Sequence, residues 1–117
     1  MKPEERDLAY LWDMRDAARD VMEFVEGVSY ESFCSDKKLR YAVERRIEVI
    51  GEAARHVSQS FQDSHPEIPW KRIVGLRNIP AHEYGEILVE RIRRVALENV
   101  PELYLELDRL ITAVSGE

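Results

Sequence analysis

Apolar residues recur along this chain at steps of three and four, the repeat of one face of an α-helix, and no stretch alternates as a half-buried strand does. From Pro3 to Glu26 the series Leu8, Leu11, Ala18, Met22 and Val25 marks a first helix, interrupted by Arg15 and stopped by Gly27. A connector from Ser29 to Ser35, with one helical turn at Tyr30 to Phe33, leads to Asp36, a suitable N-cap for the next helix. That second helix is predicted from Lys37 to about Gln62, with Val43, Ile47, Ile50, Ala54, Val57 and Phe61 on one stripe. Its solvated side carries the pairs Arg40 with Glu44 and Glu52 with Arg55. Two prolines between Asp63 and Pro69 enforce a loop. A shorter helix from Trp70 to about Asn78 offers Trp70, Ile73, Val74 and Leu76 to the core, and Ile79-Pro80 and then Gly85 punctuate the chain. The last helix runs from near Glu86 to about Val114, with Val89, Ile92, Ala96, Val100, Leu103, Leu107, Leu110 and Val114 in register. Pro101 falls inside it, so a kink is expected near Leu97. The sum is an all-α, antiparallel bundle of four main helices with a short extra helical turn.

This pattern leaves apolar side chains over. Tyr104 and Leu105 lie off the stripe of the last helix, and Tyr10 and Trp12 broaden that of the first. A second apolar strip on long helices favours pairing of two copies, so a homodimer is expected.

Size and composition narrow the classes. The 117 residues suit one domain spanning 1–117, long enough to bury a core without staples. The single cysteine, Cys34, excludes an internal disulfide or a thiolate zinc cluster and fits a reducing compartment. No apolar run is long enough to span a bilayer and the first residues lack a signal peptide's apolar stretch, so a cytoplasmic location without membrane association is expected. The net charge of −6 argues against a general cationic nucleic-acid binder.

Charge distribution changes that picture. Residues 71–94 hold six basic and three acidic side chains, whereas the segments on either side are strongly acidic. The cations are Lys71, Arg72, Arg77, Arg91, Arg93 and Arg94, and they flank the densest chemistry in the chain, Arg77-Asn78-Ile79-Pro80-Ala81-His82-Glu83-Tyr84. Arg77 is a planar fork suited to phosphate oxygens, His82 can exchange a proton near neutral pH, and Asn78 can donate to a phosphate or hold the turn. Those are the parts for RNA cleavage without a metal, in which a 2′-hydroxyl loses a proton, a 5′-oxygen gains one, and a cation meets the developing charge. Two copies in a dimer would supply the two histidines that one step needs. The plainer reading pairs Arg77 with Glu83 or Glu86, caps a helix with Asn78 and half-buries His82.

Competing sites are weaker. Glu44, Glu48, Glu52 and His56 line one helix edge, but the Glu-x-x-His pairs of a di-iron bundle are missing, and a salt-bridged edge is expected. His65 sits in the proline loop and is expected to be solvated, and Cys34 lacks the setting of a catalytic thiol. No cofactor is called for, and no glycine-rich phosphate loop is present.

Arg77 to Tyr84 resembles the Arg-x4-His-x-Tyr signature of HEPN-domain proteins of the HepT-like toxin family. Arg45-Arg46-Ile47-Glu48-Val49-Ile50-Gly51-Glu52-Ala53-Ala54 is similar to that family's Ile-Gly-Glu-Ala helix, and Pro66-Glu67-Ile68-Pro69-Trp70 to its Pro-x-Ile-Pro-Trp connector. The resemblance covers about residues 41–87, in order. It implies a HEPN bundle, a homodimer and a metal-independent endoribonuclease, with Arg77 and His82 catalytic and Asn78 supporting the phosphate site. Lys71, Arg72, Arg91, Arg93 and Arg94 would then contact RNA. It also implies an MNT-type nucleotidyltransferase antitoxin that attaches AMP to Tyr84, blocking the site with bulk and negative charge. The other expectation from the same residues is a noncatalytic adaptor that binds and regulates such a partner.

Overall fold

Seven α-helices follow one another in the computed structural model, which describes residues 3–78 and 85–115. α1 spans Pro3–Val25, α2 Tyr30–Ser35, α3 Lys37–His56, α4 Gln59–Ser64 and α5 Trp70–Gly75, the last tightening into a 3-10 turn at Leu76–Asn78. α6 spans Gly85–Arg94, a π-helical stretch covers Val95–Asn99, and α7 spans Val100–Ser115. No strand occurs among the described residues.

Several boundaries follow from local chemistry. Gly27 ends α1 at φ 71°, a left-handed conformation that costs a glycine little. The helical turn expected at Tyr30 is the short α2, whose N-cap Ser29 accepts from the Ser32 amide at 3.1 Å. Asp36 caps α3 as expected, accepting from the Leu39 amide at 3.0 Å.

The long helix predicted to reach Gln62 instead stops at His56. Val57 is extended and Ser58 caps the separate α4, accepting from the Phe61 amide at 3.2 Å. The cause is distant in sequence. Asp7, buried on α1, accepts from the Ser58 amide at 2.8 Å and from its hydroxyl at 2.7 Å, holding residue 58 out of helical conformation. Arg40, expected beside Glu44, donates to the Cys34 carbonyl and ties α3 back to α2.

In the last helix the disturbance expected near Leu97 takes the form of the π-helical stretch. The Val100 amide bonds back to the Val95 carbonyl, five residues away, just before Pro101 withdraws its own donor.

The core forms where α1 packs on α3 and on α7, with α5 and the 3-10 turn against the same α3. Leu11, Met14, Ala18, Val21, Val43, Ile50, Ala96, Val100 and Leu107 are buried at its centre. Arg15 is buried too. Its guanidinium donates to Asp108 of α7 at 2.8 Å and lies 4.0 Å from the centre of the Trp12 ring, so a charge on the apolar stripe becomes a tie between helices. Of the apolar residues left over, Trp12 and Leu105 are exposed, whereas Tyr10 and Tyr104 are half-buried. No helix among the described residues is long and apolar enough to cross a membrane.

Candidate ribonuclease site

Trp70 starts the segment that carries Arg77. Its ring is buried, and its indole N–H donates to the His65 carbonyl at 2.9 Å, pinning the proline loop to α5. His65 is therefore half-buried against Phe61 rather than solvated. Ile73, one turn later, is also buried, so α5 is anchored before the chain tightens into the turn at Leu76–Asn78.

That turn crosses α3 at Gly51. A side chain there would not fit: a Cβ on Gly51 would lie 2.7 Å from the Arg77 amide nitrogen, 3.0 Å from the Arg77 Cβ and 3.1 Å from the Ile73 carbonyl oxygen. The next residue of α3 meets the arginine. Arg77 Nη1 lies 3.4 Å from Glu52 Oε2, and the Arg77 side chain remains 35% exposed. Arg77 Nε is buried and meets no hydrogen-bond partner among the described residues. Spacing along the chain assigns Glu52 only to a solvated helix pair with Arg55. That pair exists at 2.7 Å, but Glu52 also faces His56 at 3.5 Å, and His56 stacks on Tyr10. The Arg55 hydrogen bond first, and Arg77 after it, hold the Glu52 carboxyl below its ordinary pKa, so it is charged and available to Arg77 at neutral pH. The clue in the sequence is the adjacency Gly51-Glu52, small then acidic.

Arg77 thus pairs with Glu52 on another helix. Glu83 and the pair His82 and Tyr84 lie outside the described residues. Asn78 is exposed at the end of the 3-10 turn.

The six cations of residues 71–94 do not form one patch. Arg72 and Arg91 line a common groove of about 550 Å³ between α5 and the last two helices. Arg93 turns to the Tyr30 ring, 5.1 Å from its centre, and Arg94 lies 4.0 Å from Glu98. Lys71 is exposed. The edge of Glu44, Glu48, Glu52 and His56 is a salt-bridged one, with Arg45 and Glu48 at 2.6 Å. Burial and neighbouring Glu48 raise the Glu44 pKa. No group of three or more His, Cys, Asp or Glu placed to hold a metal ion occurs among the described residues.

An all-helical bundle with an arginine seated on a glycine-acid pair of a core helix is the HEPN class of fold. The sequence pattern of the HepT-like ribonucleases matches residues 14–110, and the chain belongs to that family. It is 40% identical to a candidate RNase of Methanocaldococcus jannaschii, over 89% of this chain and 96% of that protein. It is also similar to a probable ribonuclease HepT of Thermococcus cleftensis, 34% identical over 94% and 98%. A candidate RNase of Caldanaerobacter subterraneus is 32% identical over 87% and 91%. No solved structure matches the chain significantly.

Proposed function

We propose that the chain is the RNA-cleaving toxin of a toxin-antitoxin pair, an endoribonuclease that works without a metal ion in a cleft between two copies. The carrying observation is the hold on Arg77. One end of its guanidinium is tied to charged Glu52, its backbone is seated on Gly51, and a third of the side chain stays open to a phosphate.

In this reading the 2′-hydroxyl of one nucleotide gives its proton to His82 while its oxygen attacks the neighbouring phosphorus. The P–O5′ bond breaks, and the departing oxygen takes a proton from His82 of the partner subunit, leaving a 2′,3′-cyclic phosphate and a 5′-hydroxyl. Arg77, with Asn78 beside it, meets the charge that builds on the phosphorane oxygens. Control comes from an MNT-type nucleotidyltransferase. The Tyr84 hydroxyl attacks the α-phosphorus of ATP, AMP joins through a phosphodiester and pyrophosphate leaves.

The test is RNA cleavage by the purified protein in EDTA. His82→Ala abolishes the cut with helicity intact, and undiminished cleavage by that variant overturns the assignment. Coexpression with the nucleotidyltransferase adds mass in units of AMP, and Tyr84→Phe removes the addition. A stable complex with that partner and no cleavage by AMP-free protein would favour the adaptor.

A further inference from the structure

The groove that brings Arg72 and Arg91 together contains more than positive charge. Its walls include Ile73, Val95 and Leu103, and its polar side chains include Asn99 and Glu106. One oxygen of Glu106, Oε2, is buried and meets no hydrogen-bond partner among the described residues. A carboxylate oxygen withdrawn from water without a donor is costly, so a ligand N–H would be worth more here than at an open surface.

We infer that this groove is a base-reading subsite that takes guanine from a single-stranded RNA, an inference that rests on the RNA-cleaving reading above. The volume of about 550 Å³ suits one nucleotide, and the apolar walls suit the faces of an unstacked base. Arg72 and Arg91 offer planar donors to the attached phosphates. The carboxylate then chooses the base. Guanine alone presents two adjacent donors, N1–H and N2–H, on its Watson–Crick edge, matching the two oxygens of Glu106. Adenine and cytosine each offer one amino group beside an acceptor nitrogen, and uracil flanks its single N–H with two carbonyls that a carboxylate repels. The subsite also adjoins the proposed chemistry, because Gly75 and Leu76 line the groove and lead directly into Arg77.

Direct binding of the four nucleoside 5′-monophosphates to the purified protein tests this, followed by calorimetry or by amide shifts in NMR. GMP should bind about tenfold more tightly than AMP, CMP or UMP, the discrimination expected of one good bidentate contact. Inosine monophosphate, which lacks only the N2 amino group, should lose most of that advantage on the unaltered protein. Glu106→Gln should bring GMP to the level of the others. Equal affinities, no binding, inosine monophosphate equal to GMP, or guanine preference surviving in Glu106→Gln would each overturn the assignment. Binding needs no turnover, so failure to cut RNA counts against the ribonuclease mechanism alone, and guanine selectivity alone decides the groove.

Discussion

Gly51 of α3 lies directly beneath the backbone of Arg77, so close that a Cβ there would stand 2.7 Å from the Arg77 amide nitrogen. The contacts are with main-chain atoms, which cannot rotate away as a side chain tip could. The absent side chain at 51 is therefore what lets the 3-10 turn settle on α3 and brings Arg77 within reach of Glu52.

Gly51→Ala should accordingly destabilise the protein although alanine is the better helix former. Overpacking of about 1–3 kcal/mol outweighs a helix gain of roughly 1 kcal/mol. Gly75→Ala is the contrast: a Cβ there meets nothing within 4 Å, and a gain of roughly 0.5–1 kcal/mol is expected. Urea unfolding of both variants checks the opposite signs, and RNA cleavage should fall in the first.

The Glu52 carboxylate should titrate below an ordinary glutamate, with Arg55 the stronger cause and Arg77 the weaker. A depressed pKa means that this stabilisation is present above the unfolded pKa and is lost as pH falls through the folded one, so Arg77 is released only in acid. NMR titration of the Glu52 side-chain carbonyl carbon should show the midpoint rising more in Arg55→Ala than in Arg77→Ala. Equal midpoints in all three proteins would refute the pairing.

Asp7 and Ser58 should behave as one unit. Ser58→Ala removes both the α4 cap and the hydroxyl that satisfies buried Asp7, and should cost about 1–2 kcal/mol. The double variant with Asp7→Ala should cost clearly less than the sum of the singles, as a denaturation cycle will show.

Arg15 and Asp108 should be unequal partners. Asp108 is 52% exposed, so Asp108→Ala should cost about 1 kcal/mol after solvent screening. Arg15→Ala also removes a buried stem and the contact with Trp12, and should cost about 2–3 kcal/mol. Thermal melts of the two variants give the comparison.

Much of this fold is legible in the sequence because its signals act within a turn or two. Gly27 stops α1 and Asp36 caps α3 through atoms three or four residues away. The break at Ser58 is not legible, since Val57 and Phe61 keep to the helical stripe and Asp7 lies 51 residues distant. Pro101 announces a disturbance, but whether a kink or a π-turn relieves it depends on what packs around the helix. The motif around Arg77 is visible as chemistry, while its anchor on Glu52 is hidden as an ordinary helix pair.

Helical class, the order of the elements and the concentration of cations in residues 71–94 are properties of spacing along one chain, and the amino-acid order was enough to establish them. Folding decided which of those residues share a surface. It gathered Arg72 and Arg91 into one groove, sent Arg93 to Tyr30 and Arg94 to Glu98, and placed Gly51 and Glu52 under Arg77. The reason is physical: periodicity specifies which face of a helix is buried, whereas the partner across that face is set by close packing between segments that lie far apart in the chain.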